Sequence, residues 1–174
     1  VGFDDVDTLD PHYMKIAPSM TVCHTIYNKL VRFPEGTYDV ENAEGDLAES
    51  WEFSPDRLAV TFKLRQGVQW QKGFGEVTAG DVKFSLERIL ADPAASSWYY
   101  LRKVAGVEAP DRYTVVVRFT APDPLFIETM CYTTSAIVPQ AAALKYGKDF
   151  RTSPVGSGPF ELESYIPKEK VTVT

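Results

Sequence analysis

The chain has little cysteine and little histidine. Cys23 and Cys131 are two thiols in 174 residues, too few for a disulfide framework, so buried free thiols are expected and a single bridge stays open. His12 and His24 are the only histidines, and neither has a second nitrogen, sulfur or carboxylate ligand at useful spacing. The sequence therefore predicts no metal site and no other cofactor, because a bound ion needs several converging ligands.

Long apolar runs and clustered basic residues are also missing. No run approaches the roughly 18 apolar residues of a membrane-spanning helix, so direct membrane insertion is not expected. The net charge is −6 and the lysines and arginines are scattered, which argues against a nucleic-acid partner, since phosphate binding uses clustered positive charge. Residues 1–5 have neither the basic start nor the apolar segment of a signal peptide.

Motifs of catalytic nucleophiles and phosphate loops are absent from the sequence as well. The segment VGSGP at residues 155–159 lacks the residue between serine and the second glycine that a nucleophile elbow requires. It also lacks the lysine and the following helix of a phosphate loop. We expect a tight chain reversal leading into a strand here, and the protein is not predicted to be an enzyme.

The composition is that of an ordinary globular chain, with 44% hydrophobic and 24% charged residues. Residues 47–89 are the most informative stretch. Within it, residues 59–65 alternate apolar and polar side chains, which is the period of a half-buried strand. In residues 50–53, Trp51 and Phe53 likewise lie on one face of a predicted strand. The Ser-Pro-Asp segment 54–56 between the two strands is typical of a turn. The pattern predicts an antiparallel hairpin.

A helix is predicted to follow this hairpin. Thr78 precedes Asp81 by three residues, which is the spacing of a capping box at a helix start. Val82, Leu86 and Ile89 then recur at helical spacing and form one apolar stripe.

The other segments predict further short elements. Helices are expected over residues 18–29, 125–130 and 140–146, hairpins over 30–33 with 38–40 and 104–109 with 114–119, and strands over 160–165 and 171–174. Residues 94–100 are predicted as a loop, and residues 1–3 as the end of a strand. Strands that come in adjacent pairs predict a mainly antiparallel sheet with packed helices, so the expected fold class is α+β.

Five motifs in this order resemble the family 5 extracellular solute-binding proteins, the peptide, dipeptide and nickel-type binding proteins of ABC importers. The motifs are TLDPH at 8–12, LAESWEFSPDRLAVTFKLRQGVQW at 47–70, VTAGDVKFSLERI at 77–89, AIVP at 136–139 and VGSGPF at 155–160. Each motif alone is a weak signal. Together they cover essentially the whole chain.

The resemblance implies part of a longer protein whose two lobes close on a ligand. Residues 33–152 look like the small α+β subdomain inserted in a type II periplasmic-binding-protein-like first lobe. Residues 1–32 and 153–174 would then be short parts of the main lobe, with the chain ending inside its last strand. The implied location is periplasmic or extracellular, after removal of a signal peptide.

The implied function is that of the substrate-binding component of an ABC importer. Such a protein binds peptides or similar small solutes in an interlobe cleft and delivers them to a membrane permease. A ligand sensor or chaperone-like module that presents its ligand to a receptor remains the alternative, since family members do both. The family's groups for a ligand's charged ends belong mostly to the second lobe, so this chain alone is expected to bind peptides poorly.

By the same resemblance, the candidate ligand-binding residues are those that match positions around the cleft: Tyr13, Trp98, Tyr99, Tyr132, Thr133 and Thr134. The aromatic pair at 98–99 offers rigid apolar area with a polar tip, which suits a ligand wall, and burial in the subdomain core is an equally open alternative. The segment 132–134 matches a loop that faces the cleft, and its alternative is an ordinary helix-capping loop. Tyr13 follows the TLDPH motif, at the mouth of the cleft in relatives.

Overall fold

The computed structural model describes residues 6–174 and confirms the predicted α+β class. The α-helices are α1 (Ala17–Ile26), α2 (Ala79–Ala91), α3 (Trp98–Leu101), α4 (Phe126–Cys131) and α5 (Gln140–Tyr146). The strands are β1 (Val31–Arg32), β2 (Glu44–Gly45), β3 (Ala48–Phe53), β4 (Ala59–Leu64), β5 (Val104–Asp111), β6 (Thr114–Phe119), β7 (Leu162–Ile166) and β8 (Lys170–Val173). The strand end predicted at residues 1–3 lies outside the described residues. Between residues 6 and 174, no helix is long and apolar enough to cross a bilayer.

The main sheet has four antiparallel strands in the order β3-β4-β6-β5. Both predicted hairpins, β3 with β4 and β5 with β6, form between consecutive strands. In the centre, Phe62 of β4 lies opposite Trp51 on one side and Val115 on the other. Val60, Phe62 and Leu64 are all buried, so the alternation in the sequence correctly identified the inward face of β4.

Helix α2 begins where its capping box predicts. The Asp81 carboxylate accepts hydrogen bonds from the amide of Thr78 at 3.0 Å and from its hydroxyl at 2.9 Å. Val82, Leu86 and Ile89 are fully buried, and the helix packs against β5 and β6. Each such aliphatic side chain contributes about 1.5–3 kcal/mol when removed from water, so this stripe fixes the helix on the sheet.

The hairpin predicted between residues 30–33 and 38–40 is wrong in its second strand. β1 pairs instead with β2. The Asp39 carboxylate accepts hydrogen bonds from the amides of Glu41 at 3.0 Å and Asn42 at 3.3 Å, and from the Asn42 side chain at 2.7 Å. These local hydrogen bonds from the Asp39 side chain stabilise a turn at residues 39–42 in place of a strand.

Helix α1 ends three residues before the predicted Lys29, because the backbone beyond it has other partners. The Asn28 carbonyl accepts a hydrogen bond from Ile137 at 3.0 Å. The amide of Lys29 donates to the Asp46 carboxylate at 2.8 Å. These long-range bonds replace the helical ladder after Ile26.

The loop predicted over residues 94–100 is also partly wrong, since α3 occupies its end. The amide of Leu101 donates to the carbonyl of Ser97 at 3.2 Å, and the Leu101 side chain is fully buried. Burial of this one apolar residue outweighs the loop preference of the small residues before it.

The buried side chains form two apolar cores. The first core lies under the four-stranded sheet and contains residues between Leu30 and Ile137, including Phe62, Leu86 and Phe126. The second core groups Cys23, Ile26 and Tyr27 of the α1 region with Ala142, Ala143, Phe150 and Val155. The two cores therefore meet near residues 136–138, where Ala136 and Val138 join the second core and Ile137 joins the first.

Both cysteines are buried and unpaired, one in each core. Burial raises the pKa of Cys23 to about 12 and that of Cys131 to about 11. These thiols are therefore neutral and unreactive at neutral pH.

Glycines at 156 and 158 allow the chain to pass close to the end of α1. A Cβ atom on Gly156 would lie 1.9 Å from the carbonyl oxygen of Ile26, and one on Gly158 would lie 2.6 Å from the same atom. The amide of Gly158 donates to that carbonyl at 2.8 Å. The segment then bends and continues to β7, so its glycines are required by this close approach.

Candidate functional site

The TLDPH segment is held in place by a buried polar network. The Arg88 guanidinium of α2 donates to the Asp10 carboxylate at 3.0 Å and to Nδ1 of His12 at 2.8 Å. Because arginine only donates, Nδ1 is the accepting nitrogen of this imidazole. Nε2 of His12 then carries the proton and donates to the carbonyl of Ala136 at 2.8 Å. Three distant segments are joined in this way.

His12 is neutral in this network. Its imidazole is fully buried, and this burial lowers the pKa of His12 to about 4. The neighbouring Asp10 carboxylate raises the pKa and Arg88 lowers it, but both effects are smaller than burial. His12 therefore positions the loop around it and has no free nitrogen for a metal or a substrate.

Tyr13 follows this network and is half-buried. Its hydroxyl donates to the Asp92 carboxylate at 2.9 Å, and burial raises the pKa of Tyr13 above its ordinary value. The ring centroid lies 5.1 Å from the guanidinium carbon of Arg88 and 5.4 Å from that of Arg151. Tyr13 is thus fixed in orientation and partly accessible to solvent.

A cluster of hydroxyl groups links the segment before α3 to the segment after α4. Ser97 donates to the hydroxyl of Thr134 at 2.7 Å, and Ser135 donates to Ser97 at 3.0 Å. Ser96 in turn donates from its amide to the carbonyl of His12 at 2.8 Å. The regions of Tyr13, Trp98 and Thr134 are therefore brought together by direct hydrogen bonds.

Trp98 is half-buried and packs against the first core. Its indole N–H donates to the carbonyl of Leu90, near the end of α2, at 3.2 Å. The polar tip is therefore engaged within the fold, and only part of the ring surface remains for a ligand.

The side chain of Tyr99 contacts residues other than those of the hydroxyl cluster. It is 56% exposed, and it makes an edge-to-face contact with Tyr100 at 5.7 Å. The guanidinium carbon of Arg102 lies 3.9 Å from its ring centroid. Within residues 6–174, no hydrogen bond joins the side chain of Tyr99 to Ser97, Thr134 or Ser135.

Tyr132 and Thr133 have separate neighbours. Tyr132 is 42% exposed, contacts the ring of Phe33 edge to face at 5.3 Å, and donates to the Glu128 carboxylate at 3.3 Å. Partial burial and Glu128 raise the pKa of Tyr132. Thr133 lies 3.3 Å from Nδ1 of His24 on α1. The segment 132–134 thus contacts three different parts of the molecule.

Sequence reasoning missed several residues of this arrangement. Arg88 gave no signal because its partners Asp10 and His12 lie more than 70 positions away. Ser97 could have been noticed as the polar neighbour of Trp98 in a small-residue segment. Across the described chain, no group of three His, Cys, Asp or Glu side chains could hold a metal ion.

A family model described as bacterial extracellular solute-binding proteins, family 5 Middle, matches residues 42–174. Among curated proteins, the glutathione-binding protein GsiB of Escherichia coli O1:K1 / APEC is 34% identical over 168 residues. This match covers 95% of the chain and 32% of GsiB.

Two solved structures resemble the chain over nearly its whole length. The PBP/SBP MoaA from A. tumefacien R10, in complex with mannopinic acid, is 40% identical with a TM-score of 0.94, over 99% of this chain and 35% of that protein. Haemophilus influenzae OppA, in complex with RPPGFSPFR, is 29% identical with a TM-score of 0.87, over 98% of this chain and 36% of OppA. The chain spans about a third of the length of these relatives. It belongs to the family 5 bacterial extracellular solute-binding proteins, with the fold of part of a type II periplasmic binding protein.

Proposed function

We propose that this chain forms one wall of the ligand cleft in the substrate-binding component of an ABC importer. The relatives are named for glutathione or are bound to mannopinic acid and to the peptide RPPGFSPFR, which supports peptides or similar small solutes as the ligand class. In this proposal the loaded protein acts in the periplasm or outside the cell, delivers its ligand to a membrane permease and catalyses no reaction.

The assignment of these residues to one wall of the cleft rests on one observation. Hydrogen bonds join the segments around Tyr13, Trp98 and Thr134, although the first and last are separated by more than 100 positions. Trp98, Thr133 and Thr134 are each half-buried, which suits side chains that line an open cleft. We propose Tyr13, Trp98, Thr133 and Thr134 as the central ligand residues, with Tyr99 and Tyr132 at the rim.

We also propose the division into residues 1–32, 33–152 and 153–174 as parts of two subdomains. The first core lies almost entirely within residues 33–152, which supports an inserted subdomain. The second core combines residues on both sides with α5. The remaining wall of the cleft would come from polypeptide that corresponds to the other two thirds of the relatives.

The test is a titration of the 174-residue chain with glutathione and a dipeptide, followed by backbone-amide NMR. Binding is expected to be weak, with millimolar dissociation constants, because a single wall buries little of the ligand. The shifts should centre on residues 12–14, 96–98 and 132–134. Replacing Thr134→Val should weaken binding about two- to tenfold, the effect of one hydrogen bond.

The matched control is Thr120→Val, an exposed threonine whose hydroxyl donates to the Lys103 carbonyl at the end of the sheet. Its dissociation constants should equal those of the unmodified chain. Shifts confined to other surfaces would contradict the proposed wall. Micromolar binding of a dipeptide, measured by calorimetry, would contradict the proposal that half of the cleft lies elsewhere.

A further inference from the structure

A cleft beside Tyr13 shares this residue with the proposed ligand wall but is otherwise lined by different side chains. Its volume is about 260 Å³, and its lining residues are Asp7, Thr8, Tyr13, Lys15, Ala94 and Arg151. It therefore combines an aromatic ring with two cations and one carboxylate.

The carboxylate that lines this cleft, Asp7, and that of Asp92 beside Tyr13 are already engaged by protein donors. Asp7 accepts hydrogen bonds from the amide of Lys15 at 2.9 Å and from the hydroxyl of Ser19. Asp92, which accepts from Tyr13 nearby, also accepts from the amide of Ala94 at 2.9 Å. These bonds lower the pKa of Asp92. Both carboxylates are thus satisfied by donors of the protein, which leaves them little capacity for a cationic ligand.

The two cations of the cleft differ from these carboxylates in their lack of ion-pair and hydrogen-bond partners within residues 6–174. Arg151 and Lys15 are exposed, and within residues 6–174 neither side chain forms an ion pair or a hydrogen bond. Other arginines of the chain do pair with carboxylates: Arg32, Arg88, Arg112 and Arg118. Four of the eight arginines are paired in this way, and Arg151, one of the four without an ion pair within residues 6–174, is the arginine that lines the cleft.

The position of Arg151 is fixed by the fold. Its carbonyl accepts a hydrogen bond from the amide of Leu9 at 2.8 Å, and its guanidinium carbon lies 5.4 Å from the centroid of the Tyr13 ring. Tyr13 is itself held by Asp92. The guanidinium therefore packs on the Tyr13 ring at the lining of the cleft, where planar donors can bind a carboxylate.

We propose that this cleft is a carboxylate-binding subsite. Arg151 would hold one carboxylate through two parallel hydrogen bonds, Lys15 would supply a second positive charge, and the Tyr13 ring would contact the adjoining carbon atoms of the ligand. This inference rests on the proposed function and narrows it, because it requires that the solute carry a carboxylate close to the ligand wall.

The experiment is an NMR titration of the 174-residue chain with glutarate at constant ionic strength, with glutaramide as the neutral analogue. Glutarate should cause saturable shifts at Thr8, Tyr13 and Arg151, and glutaramide should cause none. Arg151→Gln should raise the glutarate dissociation constant about tenfold or more, as expected for loss of a charged hydrogen-bonding partner. Lys15→Gln should have a smaller effect in the same direction.

Arg57→Gln is the matched control, since this guanidinium also stacks on a ring, that of Phe53 at 5.1 Å, in the turn between β3 and β4. It should bind glutarate as the unmodified chain does. Equal affinity of Arg151→Gln and the unmodified chain, with amide dispersion showing both folded, would overturn the subsite. So would unsaturable shifts at lysines and arginines over the whole surface.

The two proposals fail in different ways. If glutathione shifts the region of Trp98 and Thr134 equally in Arg151→Gln and in the unmodified chain, the subsite is wrong and the ligand wall stands. If glutarate saturates the cleft at Arg151 while neither glutathione nor a dipeptide affects Trp98 or Thr134, the subsite stands and the ligand wall is wrong.

Discussion

The two apolar cores differ in how far apart in sequence their members lie. The first core is built on hairpins of consecutive strands, β3 with β4 and β5 with β6. The second core combines α1 with α5, Phe150 and Val155, and its links include the bond from His12 to Ala136, 124 positions apart. Local pairing therefore specifies the first core, whereas the second depends on contacts that close long loops.

Helix α2 connects the two regions. One face of it is buried in the first core, and the other carries polar contacts to the segment before α5 and to the first residue of α5. Ser85 accepts a hydrogen bond from the amide of Val138 at 2.9 Å, and Asp81 accepts one from the amide of Gln140 at 3.0 Å. The candidate ligand residues lie near this junction, where segments from both regions converge.

The largest expected effect comes from Gly156→Ala. A Cβ atom there would meet the backbone carbonyl of Ile26 at 1.9 Å, and a backbone atom cannot rotate away as a side chain can. We expect a loss of about 3 kcal/mol or more in the free energy of unfolding, measured by urea denaturation. Hydrogen exchange should increase more in α1 and α5 than in β4 and β6.

Gly106→Ala in β5 is the control for this change. A Cβ at that position has no atom within 4 Å, so the free energy of unfolding should change by no more than about 0.5 kcal/mol. Equal losses of stability for both variants would contradict the steric origin of the effect. Equal loss of exchange protection in both cores after Gly156→Ala would show that the two regions unfold as one unit.

The next effect is a dependence of stability on pH that originates at His12. Because burial lowers the pKa of His12 to about 4 from its ordinary 6.5, the unfolded chain binds more protons between these values. The contribution of neutral His12 to the free energy of unfolding is complete above about pH 6.5. It is lost as the pH falls towards 4, by about 3 kcal/mol in total. Urea denaturation at a series of pH values measures this loss.

His12→Gln is the comparison for the pH series, since glutamine can accept from Arg88 and donate to Ala136 but does not titrate in this range. Its stability should fall less steeply between pH 6.5 and 4 than that of the unmodified chain. His24, whose pKa burial also lowers, is present in both proteins and cancels. Identical slopes would mean that His12 is not the source of the dependence.

The same contrast explains which parts of the molecule could be predicted from the sequence. The hairpins and the start of α2 depend on residues within a few positions of each other, and these predictions were confirmed. The pairing of β1 with β2 and the network of Arg88 with Asp10 and His12 depend on distant partners, for which spacing gives no signal. The candidate ligand residues were identified by resemblance to a family, but the hydrogen bonds that position them could not be predicted from that resemblance.

The smallest expected effect comes from the start of α2 and tests whether local interactions stabilise the first core. Thr78→Ala removes the side-chain hydroxyl that donates to Asp81 at the start of α2, which should cost about 1 kcal/mol in the free energy of unfolding. Thr78→Ser keeps the hydroxyl and should stay within a few tenths of the original value. Because the cap acts only on the first turn of α2, exchange protection should fall there and in β5, while α1 and α5 should keep theirs. A loss of protection spread equally over both cores would contradict the local origin of this stabilisation.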